Sequence, residues 1–286
     1  MFDEIAHFVN WIRRRNPEAH TWRDYRCDLQ QFVAVVGDRP PTAITFHDVD
    51  TFVTVQAAKG FNPATINRRL AAIISFYTFL ADELPDLVCP VLPHRHWLRQ
   101  RHRLPRPVPA ADLNRFFAVI EDSRDRAMFL LMLRCGLRIA EVAGLKLRDL
   151  HLAETPPRLL VLGKNSKERI VYLSPQAEQA VRAYRDQRPS CASDFLFLSY
   201  QLHGLSTTAI HKRLMVYRTA AGVYLTAHQL RHTFANDLVA ADVPVTSVQK
   251  LMGHAWITTT QGYIAANDRQ VQADFYQVVE TMEGWQ

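Results

Sequence analysis

The sequence predicts a mainly α-helical protein with one small β-hairpin, built as an N-terminal helical bundle followed by a mixed α/β domain. Three observations carry that expectation. Apolar residues recur at helical spacing through the first part of the chain. One stretch breaks that period: RLLVLGKNSKERIVYL, residues 158–173, sets two apolar runs around a Gly-Lys-Asn-Ser-Lys turn. Between the two halves lies a proline-punctuated segment carrying Pro90, Pro93, Pro105, Pro107 and Pro109. With 286 residues the chain is long enough for two separate cores.

Phe2, Ile5, Phe8, Val9 and Ile12 define a first helix that ends in Arg13–Arg15. Trp22, Tyr25, Leu29, Phe32, Val33 and Val36 define a second, with Thr21 placed to cap it. Phe46, Val49, Phe52 and Val53 give a third. Asn62-Pro63 supplies a cap and first-turn proline for a fourth carrying Ile66, Leu70, Ile73, Ile74 and Tyr77. Residues 1–92 therefore read as a four-helix domain and 93–109 as a linker. Within that linker, HRHWLRQRHRLPRP (94–107) holds five arginines and three histidines without an acid.

Residues 110–286 read as the second domain. Helices are expected over 111–121 and 124–135, the latter stopped by Gly136, and a short one over 139–145. After the hairpin, helices resume near Pro175, pause at the apolar FLFLS, and continue over 206–221, 227–240 and 245–252. In the tail, Val271, Phe275, Val278, Val279 and Met282 give the spacing of an amphipathic helix.

Several function classes are excluded. The longest apolar runs are too short to cross a bilayer and the first residues do not form a secretion signal, so a cytoplasmic, nucleoid-associated protein without a membrane partner is expected. Cys27, Cys89, Cys135 and Cys191 are widely spaced with no C-x-x-C, which argues against a disulfide framework or a zinc site. The net charge of +6 favours a polyanionic partner. An extended basic strap suits a phosphate backbone, which nominates Arg99, Arg101 and Arg103 as DNA contacts, with Arg68 and Arg69 on the fourth helix.

In the second domain Arg138 follows a Gly-Leu turn, Lys164 sits at the hairpin tip, and His228 and Arg231 share a helix face through their i, i+3 spacing. His254 and Tyr263 complete the set. Together these groups suit attack on a phosphodiester. Guanidinium forks match the oxygens on which negative charge accumulates. A tyrosine hydroxyl needs a base or a strongly positive field to ionise, and the alkoxide that leaves needs a proton, which a lysine can supply. Lys167, in the same turn as Lys164, is its rival for that role. No metal or other cofactor is required, and no cluster of carboxylates is apparent that would gather one.

Arg138 in GLRIAE, Lys164 in GKNSKER, His228 and Arg231 in HQLRHTFA, His254 in LMGH and Tyr263 in TTTQGY resemble the motifs of the tyrosine recombinases, the integrase-type site-specific DNA recombinases, in order and in spacing. The resemblance spans almost the whole chain and is to the simple two-domain Xer-like architecture, with no separate arm-binding domain ahead of the helices. It implies a SAM-like core-binding domain before a catalytic domain. It further implies that Tyr263 forms a 3′-phosphotyrosyl bond, that Arg138, Arg231 and His254 hold the scissile phosphate, and that Lys164 protonates the leaving 5′ oxygen. His228 would assist proton transfer and Glu141 would orient Arg138. The partners so implied are double-stranded recombination sites and, in the synaptic complex, a homotetramer with exchanged tail helices; the role is that of a mobile-element integrase or resolvase or of a chromosome resolvase. Two alternatives share the fold: a type IB topoisomerase-like enzyme, and a catalytically silent DNA-binding regulator.

Overall fold

A computed structural model describes residues 1–15, 17, 21–100, 107–163 and 168–253, and the chain divides into two compact units, Met1–His102 and Arg103–Gln286. Helices dominate both units, and the one sheet is small and antiparallel. None of the described helices is long and apolar enough to cross a membrane.

The first unit contains α1 (Phe2–Arg15), α2 (Thr21–Val36), α3 (Phe46–Ala58), α4 (Pro63–Leu80) and the short α5 (Pro93–His96). Their apolar stripes meet in one core around Phe8, Phe32, Phe52, Ile73 and Phe76, all essentially buried. Local chemistry sets the boundaries. The Asn62 side chain accepts from Thr65 N at 2.9 Å, with Pro63 in the first turn, and Thr45 N donates to the Asp48 carboxylate at 2.8 Å to start α3.

Two features of this unit bear on the nominated DNA contacts. Arg69 is buried: its guanidinium donates to the Gln56 side chain and stacks over the Phe61 ring. The sequence reading that offered Arg69 to DNA is corrected, because position 69 falls between Ile66 and Ile73 on the apolar face of α4. Arg68 is half-exposed and pairs with the buried Asp28, one of its nitrogens donating at 2.8 Å. The start of the basic segment is held to the unit. Asn67 exchanges two 2.9 Å hydrogen bonds with the Leu98 backbone, Arg95 forks onto Asp50, and the buried His96 accepts from Leu92 N through Nδ1. Arg99 is exposed, while Arg101 and Arg103 lie outside the described residues.

The second unit is organised around α7 (Ser123–Arg134), which packs against α9 (Pro175–Gln187) and α11 (Ala227–Ala240). Every α7 residue except Arg126 is buried or half-buried, the mark of a central helix. Its buried Asp125 is satisfied by the Arg213 guanidinium at 2.5 Å and the Tyr217 hydroxyl at 3.0 Å. Around it stand α6 (Ala110–Ala118), α8 (Ile139–Gly144), α10 (Thr207–Ala220) and α12 (Val245–Met252). Val108, just before α6, is buried and its N–H donates to Thr233 Oγ1 at 2.9 Å.

The expected hairpin is present as β2 (Arg158–Leu162) and β3 (Glu168–Tyr172), and β1 (Leu150–His151) adds a third strand too short to be seen in the sequence. In the β2/β3 register Leu159 faces Val171 and Val161 faces Arg169, so residues 169 and 171 share the core-facing side. FLFLS forms isolated bridges, Phe195 with Lys146 and Leu198 with Gly204. α12 rests on α11 through a separate small cluster of Ala235, Val248 and Met252.

Candidate active site

Four segments converge beside Glu141: the turn from α7 to α8, the inward side of β3, α11 through Arg231, and the end of α12. The turn is set by Gly136, whose φ of +66° is left-handed. A Cβ there would lie 2.4 Å from Phe234 Cδ1, so the close approach of the turn to α11 requires glycine. Gly136→Ala should therefore destabilise the protein by about 2–4 kcal/mol through combined backbone strain and overpacking. The denaturant midpoint measures this, and an unchanged midpoint would refute the packing argument.

After that turn, Arg138 occupies the cap position of α8. Its backbone N–H donates to Glu141 Oε2 at 2.7 Å and its guanidinium to Glu141 Oε1 at 2.8 Å, with a second nitrogen 3.3 Å from the Gly253 carbonyl. Arg231 comes from α11 and is buried. It donates to the carbonyls of Gly136 and Met252, and its Nη1 lies 3.8 Å from Glu141 Oε2. Arg138 and Arg231 are thus brought together from positions 93 apart in the chain, sharing one carboxylate and the end of α12.

A third guanidinium completes the cluster. Arg169, on β3, makes two hydrogen bonds to Glu141, Nη1 to Oε1 at 2.6 Å and Nη2 to Oε2 at 2.9 Å. The sequence reading did not single it out. A signal was available, because an arginine on the same strand face as the buried Val171 needs a buried partner. Three guanidiniums against one carboxylate leave a positive surplus, and Arg138 carries it outward, its side chain being 40% exposed.

This field sets the local protonation states. Burial opposes ionisation of Glu141, but the hydrogen bonds and charge of Arg169, and then those of Arg138, outweigh it and hold the carboxyl below its ordinary range. His228, capped into α11 by Thr226, is pushed down by burial and then by the charges of Arg231 and Arg138. The neighbouring His232 stacks edge-on against it with ring centroids 3.9 Å apart and is pushed down to about 4, mainly by burial. Both shifts favour the neutral imidazole, the form that can accept a proton. Lys164, Lys167, His254 and Tyr263 lie outside the described residues; the last described residue, Gly253, immediately precedes His254.

Residues 108–270 match the phage integrase family, and residues 5–83 match the N-terminal SAM-like domain of phage integrases. Among curated proteins the chain is similar to tyrosine recombinase XerD of Lacticaseibacillus casei, at 32% identity over 95% of this chain and 97% of the relative. It is also similar to tyrosine recombinase XerC of Rhodospirillum centenum, at 33% identity over 91% of this chain and 82% of the relative. Among solved structures, the fold matches XerH site-specific recombinase bound to a palindromic difH substrate in a post-cleavage complex (TM-score 0.75, 22% identity, 91% of this chain and 80% of that one). It likewise matches a λ integrase dimer bound to a COC′ core site (TM-score 0.73, 16% identity, 91% and 96% of the two chains).

Proposed function

Since the chain belongs to the phage integrase family and is a tyrosine recombinase, we propose that it recombines specific sites in double-stranded DNA, in the cytoplasm, through a 3′-phosphotyrosyl intermediate, using neither metal nor ATP. The observation that carries this reading is the gathering of Arg138 and Arg231 on Glu141 and the end of α12, with His228 one helical turn from Arg231. Two guanidiniums fixed by one carboxylate offer preorganised donors to a phosphate, where the negative charge of a five-coordinate transition state gathers.

In the proposed reaction the Tyr263 hydroxyl gives its proton to His228 and its oxygen attacks phosphorus. The bond to the 5′ oxygen breaks, and that oxygen takes a proton from Lys164. Arg138, Arg231 and His254 bear on the nonbridging oxygens. The 5′-hydroxyl of a partner duplex then attacks the phosphotyrosine and releases the enzyme, so bond energy is conserved and no nucleotide is consumed. Lys167, in the same hairpin turn, is the secondary candidate for the acid. Arg68, Arg99, Arg101 and Arg103 are assigned to the backbone of the bound duplex, with four copies acting on two duplexes and the tail beyond residue 268 of each docked on a neighbour.

The test is covalent capture. The protein is incubated in EDTA with a library of genomic and mobile-element duplexes, and the protein-linked DNA is isolated and sequenced. Detergent-resistant adducts on the 3′ side of discrete sites, with free 5′-hydroxyls, are expected. Breaks that need a divalent ion, or that leave both ends free of protein, would overturn the reading.

A further inference from the structure

We propose that Arg169 is a positioning residue for phosphoryl transfer: it holds the Glu141 carboxylate so that Arg138 and Arg231 keep the orientation in which they meet the scissile phosphate. This role rests on the recombinase reading above and adds a residue to it.

Glu141 lies deep in the unit with its side chain 5% exposed, and a carboxylate at that depth must be charge-paired. Arg169 supplies the pairing in its strongest form, a two-point fork from a side chain itself only 13% exposed. Arg138 contributes one guanidinium hydrogen bond to the same carboxylate, and Arg231 stands off at 3.8 Å. Because Arg169 takes two of the hydrogen bonds that Glu141 accepts, one at each oxygen, the carboxylate is fixed and the other two arginines orient on it. Without Arg169, Glu141 would draw both onto itself and compete with the phosphate for them.

Arg169 also links two further parts of the site. A Cβ on Gly253 would lie 2.9 Å from Arg169 Cδ and 3.0 Å from Nε, so the left-handed glycine that ends α12 is seated directly on this side chain. Arg169 also belongs to β3, whose first residue, Glu168, directly follows Lys167 in the sequence. One side chain therefore fixes β3, the α8 arginine and the end of α12 in a single register, and a misplacement near 1 Å between such parts costs about 100-fold in rate.

The experiment uses the full chain and a duplex carrying a mapped site, with single-turnover cleavage, DNA affinity and thermal melting measured for each variant. Arg169→Met should cleave about 10- to 100-fold more slowly while its DNA affinity stays at the wild-type value. The decisive comparison is Arg169→Met with Glu141→Gln. Removing the unmatched carboxylate should make the double variant several-fold faster than Arg169→Met alone. Arg169→Lys, which keeps the charge and loses the fork, should fall between wild type and Arg169→Met. A purely structural side chain predicts the opposite pattern, additive losses with the double variant slowest and least stable, and that result would overturn the role, as would Arg169→Met at the wild-type rate. Should Arg169→Met fail to fold, Arg169→Lys decides: slowed cleavage at unchanged affinity supports the role, and the wild-type rate refutes it. Absence of any adduct from the wild-type protein would remove the recombinase reading and this role with it, whereas adducts from the wild type alongside unslowed Arg169 variants would remove this role alone.

Discussion

Tyr263→Phe is expected to abolish the covalent protein–DNA adduct while leaving DNA affinity unchanged. Phenylalanine keeps the ring and its packing and lacks only the oxygen that would attack phosphorus, so cleavage should drop by about 10⁴-fold or more, as when a covalent nucleophile is deleted. Because the groups that hold the phosphate remain, the variant should still occupy its site in a gel-shift assay. An adduct persisting in Tyr263→Phe would show that another side chain is the nucleophile. In that event the nine-residue spacing from His254 to Tyr263 has no catalytic meaning.

The second large effect separates two kinds of assistance. Lys164→Ala and Arg138→Ala should each slow cleavage roughly 10²–10³-fold, one by removing an acid and the other by removing a charged donor to the phosphate. A substrate whose 5′ bridging oxygen is replaced by sulfur has a leaving group that departs without a proton. On it, Lys164→Ala should recover to within about tenfold of the wild type, since the step it assists is no longer needed. Arg138→Ala should gain nothing, because the role proposed for Arg138 is on the nonbridging oxygens. Equal rescue of both would remove Lys164 from the acid role, and rescue of Lys167→Ala in its place would transfer the role to that residue.

Local rules made much of this legible in the sequence. The first-unit helices follow from period-3.6 stripes such as Ile66, Leu70 and Ile73, and the Asn62-Pro63 start of α4 follows from cap chemistry. Gly136 was readable as a helix stop because that relation spans only a few residues, and Glu141 as the partner of Arg138 through the resemblance to the family. Relations that close over long distances were not readable. Arg169 meets Glu141 across 28 positions, and Arg231 reaches Gly136 across 95. No periodicity encodes which carbonyl or carboxylate a side chain will find when separate elements fold together. Arg69 misled for the same reason. A charged residue next to Arg68 reads as an exposed basic pair, and only the packing of α3 on α4 reveals that Gln56 receives it.

The mounting of the site has a consequence for where it yields. Arg138 follows a helix buried on nearly every face, so opening that region amounts to unfolding the whole unit. Among the described residues, Gly253 ends a helix that contributes Val248 and Met252 to a small cluster shared with Ala235 of α11. The described packing is therefore denser on the α7 side of Glu141 than on the α12 side. Amide exchange is expected to be slowest along α7 and faster along α12.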